Sequence, residues 1–236
     1  MEQELVAWVW SHASMNGGIV PVFIEYLAVV VGVLGGATFA CDRGMDIIGT
    51  ICLGIITGFG GGIVRDVLLQ SHGVYFTHHP YLVLFCAAVC VAVFYFRRWV
   101  RHLDTLVFLL DVLGVGLFAA AGANKALGCG SGTIMSMILG AITAVGGGAL
   151  RDVFVGEPPK IFRPGEFYAI AGMAGATLYV LLLLAQVNEV VALVACVVVT
   201  TVLRYASVWF SWRTNADPRD EDGRLRGPAQ RGRDGR

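Results

Sequence analysis

Two stretches of this chain set an arginine beside an aspartate in an otherwise apolar run, and in both the pair follows three glycines. The first reads Gly60-Gly61-Gly62-Ile63-Val64-Arg65-Asp66-Val67 and the second Gly146-Gly147-Gly148-Ala149-Leu150-Arg151-Asp152-Val153. Charges in apolar segments are costly and mark ion or substrate pathways. The chemistry on offer is electrostatic rather than covalent. A carboxylate held by arginine is a poor general base, and the sequence assembles no Ser-His-Asp set and no metal-ligand helix. Neither glycine run is followed by Gly-Lys-Ser/Thr or preceded by a strand, so neither is a phosphate loop. No enzymatic activity, cofactor, metal site or nucleic-acid partner is expected.

The two stretches are offset by 86 residues (146 − 60), and the same offset aligns Gly36 with Gly122, Ala37 with Ala123, Gly44 with Gly130, Gly54 with Gly140 and Thr57 with Thr143. At a helical rise of about 1.5 Å per residue, each arginine lies roughly 10 Å from the middle of its span, Arg65 toward one side of the membrane and Arg151 toward the other. Neither can reach the other copy's aspartate, and neighbouring residues on a helix do not face each other. Each arginine therefore needs a third partner at its own depth. Glu25 and Asp111 are also 86 apart (111 − 25) and open the first and fourth apolar runs. The expected clusters are Glu25, Arg65 and Asp66 at the outer end and Asp111, Arg151 and Asp152 at the inner end. The competing reading is that both arginines snorkel to the headgroups.

Glycine costs about 1 kcal/mol per residue relative to alanine within a helix, so three in succession should kink or unwind it. Backbone groups freed there must face protein or water. Gly60, Gly61, Gly62, Gly146, Gly147 and Gly148 are then pore or kink residues; alternatively they let two helices cross closely. Gly32 and Gly36, and Ala119 and Ala123 with Gly122 beside them, form similar small-residue faces. These suit contacts within one subunit or between subunits.

The elements that position these residues follow from composition. Of 236 residues, 56% are hydrophobic and 14% charged, and the mean hydropathy is +0.71. Soluble domains carry about 25% charged residues, so this is an all-α integral membrane protein. Seven apolar segments have the length of a transmembrane helix, which needs roughly 17–25 residues. They run over 22–40, 46–69, 80–96, 105–125, 131–154, 166–186 and 189–207. Residues 1–21 contain Trp8 and Trp10 and no Lys or Arg, which predicts an interfacial segment rather than a signal peptide. Residues 211–236 are rich in Arg, Asp, Gly and Pro and read as a disordered cytoplasmic tail.

Arg43, Arg97, Arg98, Arg101, Lys160, Arg163 and seven tail arginines fall on one side of this arrangement, with only Lys125 on the other. The positive-inside bias puts the N-terminus outside and the tail in the cytoplasm. Each repeat holds three spans, 22–98 and 105–186, so the second copy starts from the opposite side. The result is a 3+3 inverted-topology repeat with the seventh helix, 189–207, appended. Cys41, Cys52, Cys86, Cys90, Cys129 and Cys196 form no metal or redox pattern and read as apolar filler. His78 and His79 read as loop histidines.

The doubled Gly-Gly-Gly-x-x-Arg-Asp segments, with glycine-rich first and fourth spans, resemble the bacterial branch of the trimeric intracellular cation channel family, whose members are also labelled with a glycine transporter domain in each repeat. The resemblance covers residues 22–207. It implies a homotrimer in the cell inner (plasma) membrane, in contact with membrane lipids, with one hourglass pore per protomer lined by kinked second and fifth helices. It also implies permeant monovalent cations such as K⁺. Animal members carry Lys-Glu-Val where this chain has Arg-Asp-Val, so their inositol-lipid contacts are not carried over. Glu25 stands where the family has an aspartate.

A monovalent cation channel is thus the leading expectation, and a secondary transporter of a small zwitterion such as glycine the alternative. A carrier needs a substrate site at the midplane, where half-helix ends could hold a carboxylate. A channel needs a continuous wet path with weak sites. Charges toward the two ends rather than the middle favour the channel.

Overall fold

In lipid every backbone polar group must be satisfied within the chain, which leaves helix as the solution for apolar runs of this length. The computed structural model describes residues 19–70, 73–74, 77, 79–97, 103–162 and 167–209. Among them, seven helices follow in order: α1 (Ile19–Asp42), α2 (Ile47–Leu69), α3 (Pro80–Phe96), α4 (Leu103–Gly128), α5 (Thr133–Val155), α6 (Tyr168–Leu184) and α7 (Glu189–Trp209). A single 3₁₀ turn, Lys160–Phe162, sits between α5 and α6. Five of the seven are long and apolar enough to cross a membrane, while α3 and α6 are apolar helices of 17 residues each. Residues 1–18 of the expected interfacial segment and the whole of the expected tail lie outside the described residues, as do Arg98, Arg101, Arg163 and His78, while residues 19–21 already belong to α1.

Local signals explain where the helices stop. Asp46 caps α2 by accepting from the Gly49 amide at 2.7 Å. Pro80 opens α3, where its missing N–H costs nothing. The chain reverses after α5 through Gly156 at φ 80, a left-handed conformation that glycine adopts without a Cβ penalty. The equivalent position after α2 is Gln70, also left-handed at φ 49. With the same 86-residue offset, α1 and α4 end at Asp42 and Gly128, and α2 and α5 both begin and end at matching positions.

Packing repeats as well. α1 lies against α2 and α3 as α4 lies against α5 and α6; α1 also packs on α4, α2 on α5, and α7 on α4 and α6. Apolar side chains such as Tyr81, Leu84 and Phe85 on α3 and Val190, Val194 and Val198 on α7 point outward. That is normal for a helix facing lipid, which is as apolar as the side chains themselves.

One expectation is corrected. Hydrogen-bonded helix runs unbroken through Gly60–Gly62 and Gly146–Gly148, so the glycines do not unwind their helices. They let α2 and α5 cross at backbone contact. A Cβ on Gly61 would stand 2.3 Å from the Thr143 carbonyl oxygen, and one on Gly147 would stand 2.2 Å from that of Thr57. The other small-residue faces also pack within the chain. A Cβ on Gly36 would meet Thr57 Oγ1 at 2.5 Å and one on Gly122 would meet Thr143 Oγ1 at 2.4 Å, and Ala119 and Ala123 are fully buried.

Candidate functional site

Arg65 sits near the end of α2 and is 1% exposed, so it does not snorkel. Its Nη2 donates to Glu25 Oε1 on α1 at 2.6 Å, and its Nε donates to Asp66 Oδ1 at 2.8 Å. The second contact departs from the helix-neighbour argument. The long arginine stem folds back far enough for its guanidinium to meet the very next carboxylate. Lys125, in the last turn of α4, completes the group: its Nζ lies 2.9 Å from Asp66 Oδ1 and 4.0 Å from Glu25 Oε1. Two carboxylates thus face two cations. The group is close to neutral and satisfied, which a buried set of charges must be to avoid a penalty of several kcal/mol per ion.

The second cluster is the repeat equivalent with additional partners. Arg151, also 1% exposed, donates from Nη1 to Asp111 Oδ1 at 3.1 Å and from Nη2 to Asp152 Oδ1 at 2.8 Å. Lys160 Nζ reaches Asp111 Oδ2 at 3.1 Å, while the Lys160 amide donates to Asp152 Oδ2 at 3.0 Å. Tyr168 at the start of α6 points its hydroxyl at Asp111 Oδ1, 3.5 Å away. The Arg204 guanidinium of α7 lies 4.7 Å from the centroid of the Tyr168 ring. Phe39 of α1 offers its ring to Arg151 at 4.4 Å and to Arg43 at 4.6 Å, and Arg43 pairs with Glu157 beyond α5.

The structure therefore brings Glu25, Arg65 and Asp66 together, and Asp111, Arg151 and Asp152 together. Sequence reasoning missed Lys125, Lys160, Tyr168 and Phe39 as members. Lys125 carried a readable signal, being the lone cation assigned to the outer end, where two carboxylates stand. Its repeat equivalent is Phe39 (125 − 39 = 86), which occupies the matching place in the other cluster. Lys160 and Tyr168 have Val74 and Leu82 as equivalents, so the repeat could not point to them.

A cavity adjoins each cluster. One, a small cavity of about 10 Å³, is bounded by Glu25, Gly58, Gly62, Arg65, Asp66 and Phe118. The other, about 20 Å³, is bounded by Asp111, Gly114, Gly148, Arg151, Tyr168 and Phe118 among others. Of each glycine triplet only the third member lines a cavity, Gly62 in one and Gly148 in the other. Gly60, Gly61, Gly146 and Gly147 face the crossing of α2 with α5. The walls come from α1, α2 and α4 on one side and mainly from α1, α4 and α5 on the other. Each cavity has room for about one water molecule beside its charged cluster. No group of three or more His, Cys, Asp or Glu that could hold a metal ion occurs among the described residues.

Comparison with known proteins gives a consistent result. A family model described as Glycine transporter matches residues 22–98 and 108–184. The UPF0126 inner membrane protein YadS of Escherichia coli (strain K12) is 30% identical over 207 residues, covering 86% of this chain and 98% of its own length. A UPF0126 membrane protein of Deinococcus radiodurans is 31% identical over 156 residues, 65% of this chain and 72% of the relative. Among solved structures, the TRIC trimeric intracellular cation channel orthologue from Rhodobacter sphaeroides superposes with a TM-score of 0.75 at 34% identity, covering 81% of this chain and 98% of that one. A prokaryotic TRIC channel solved in 0.5 M KCl superposes with a TM-score of 0.74 at 25% identity, covering 83% and 99%.

Proposed function

The chain belongs to the glycine transporter family, the family of the trimeric intracellular cation channels, and we propose that it is itself a membrane cation channel passing monovalent cations such as K⁺ through a path inside each protomer. The observation that carries this reading is the pair of small cavities that share Phe118 as a wall, each also lined by members of one charge-compensated cluster. A lone buried arginine would repel a cation; carboxylates at the same depth cancel its field and offer weak oxygen sites of the kind a conducting path needs. The path so defined runs between α1, α2, α4 and α5, with α2 and α5 touching at their glycines.

The halves 22–98 and 105–186 are an inverted-topology pair in this reading, with α7 appended. Three helices per half, and helix ends matched at one offset, support it. The protomers assemble as a homotrimer in the cell inner membrane, N-terminus outside and C-terminal tail cytoplasmic. A cysteine placed in the tail should react with an impermeant maleimide only after intact cells are opened; labelling of unopened cells would reverse the orientation.

The label of the family keeps a glycine carrier as the second reading. A carrier needs charged or polar groups at the midplane to hold a zwitterion, whereas the charge clusters here stand toward the two ends. Purified protein in liposomes separates the two. Single-channel currents with K⁺ are expected, and replacing Glu25 by Gln should reduce them well beyond any effect of replacing Glu2. Saturable counterflow of labelled glycine without currents would establish the carrier instead.

A further inference from the structure

Among the described residues, one lines both cavities: Phe118, in the middle of α4. It is 7% exposed, and its ring lies against α1 where Gly32 leaves room for it. A Cβ on Gly32 would stand 2.9 Å from Phe118 Cε2 and 3.1 Å from Phe118 Cζ. Gly32 and Phe118 are repeat equivalents (118 − 32 = 86), so the two halves meet here at matching positions, one carrying a ring and the other nothing. Two rings could not share that space, and two glycines would leave a gap. On the far side, that same Cβ on Gly32 would stand 2.9 Å from the Gly58 Cα. Phe118 therefore fills the gap between the cavities with an apolar plug, while Gly62 and Gly148 keep the space on either side open.

We propose that Phe118 is the gate of the permeation path, an aromatic plug that holds the space between the two cavities dry and must leave the Gly32 notch for an ion to pass. The proposal rests on the channel reading above for its purpose but not for its geometry. A hydrophobic constriction stops ions by excluding the water they travel with, without any charge at the barrier. One rotating ring on α4 can do this while α2 and α5 stay locked at their crossing. The Cβ position of Gly62 has only Arg65 Nη2 near it, at 3.8 Å, and that of Gly114 only Val31 Cγ1, at 4.0 Å, so each site accepts a reporter, one per cavity.

The test uses the full chain with its six native cysteines replaced by alanine, Gly62→Cys or Gly114→Cys as reporter, and Ag⁺ outside sealed proteoliposomes. With Phe118 in place, each reporter reacts fast in the molecules whose own end faces outward, about half in a random reconstitution, and many-fold more slowly in the rest, where the ion must wait for the plug to leave. With Phe118→Ala, both reporters react fast in every molecule, and K⁺ efflux rises. Phe118→Trp, which enlarges the plug, lowers K⁺ efflux below that of the parent. A slow half persisting in an assembled Phe118→Ala protein overturns the gate, as does, where the parent passes K⁺, unchanged efflux in Phe118→Trp. Should Phe118→Ala fail to assemble, Phe118→Leu is read in the same way. Complete fast labelling of Phe118→Ala without K⁺ efflux in any protein would uphold the plug and remove the channel reading.

Discussion

Gly61→Ala and Gly147→Ala each prevent the protein from assembling as a stable species, whereas Gly62→Ala assembles and melts close to the parent. The three substitutions add the same methyl group to the same kind of helix, so propensity alone would make all three slightly stabilising. Their surroundings differ. The new Cβ at Gly61 or Gly147 would stand 2.3 or 2.2 Å from a backbone carbonyl oxygen of the opposite helix, which cannot rotate away. Relief requires α2 and α5 to separate along their whole contact, and overpacking of a rigid site costs at least 1–3 kcal/mol, by about the amount typical of crowded cores. At Gly62 the nearest atom is Arg65 Nη2 at 3.8 Å, an ordinary contact. Thermal melting followed by size-exclusion chromatography in detergent measures the difference. If all three variants melt alike, the crossing has room that this geometry denies it. This result also separates packing from permeation, because a Gly62 substitution reaches a cavity and a Gly61 substitution does not.

Asp111→Ala is the second variant expected to act strongly. It removes an acceptor from Arg151 Nη1, from Lys160 Nζ and from the Tyr168 hydroxyl together. Breaking a buried ion pair from one side costs about 3–5 kcal/mol, because the partner charge is left without compensation. Asp111→Asn keeps an oxygen in place and should lose less. The double variant Asp111→Leu with Arg151→Met removes both charges of the pair and should recover much of the melting temperature of Asp111→Ala. Conduction then reports separately on the field. Asp111→Asn removes one negative charge and leaves Arg151 and Lys160 facing Asp152 alone, so reversal potentials in a salt gradient should move toward lower cation preference, whereas the double variant, whose net charge equals the parent's, should keep the parent's value. A stable Asp111→Ala protein with unaltered reversal potential would falsify the assignment of this cluster to the path. The two readouts are independent, since stability senses the pairing and selectivity senses the net charge.

Much of the scaffold was readable before any coordinates. The run lengths predict seven helices, and their ends fall within a few residues of those observed because proline, glycine and aspartate at the turns have local, stereochemical effects. The pairing of Arg65 with Glu25, and of Arg151 with Asp111, was also legible. There the repeat supplied what a single copy could not: two candidate partners at one offset, each at the depth of its arginine. Lys160 and Tyr168 were illegible for the complementary reason. They have apolar equivalents in the other half, and they reach Asp111 through the turn between α5 and α6, whose path no periodicity encodes.

The glycine triplets divide the two kinds of information most clearly. Their composition alone says that something requires a bare backbone at Gly60–Gly62 and Gly146–Gly148, and it allows both a broken helix and a close crossing. Which one holds depends on what stands opposite, and the opposite atoms are the carbonyl oxygens of Thr143 and Thr57, more than eighty residues away in each case. The same is true of Phe118. By itself it is one apolar residue in an apolar helix, and only the fold sets its ring against Gly32 between two cavities. Sequence by itself determined the membrane class, the helices and the duplication, because each follows from hydropathy, run length or a repeated spacing of residue types. Tertiary structure alone decided which lysine joins each cluster, which glycine faces a neighbour and which faces space, and which residue stands between the two cavities. Those are distances between parts of the chain that no local preference constrains.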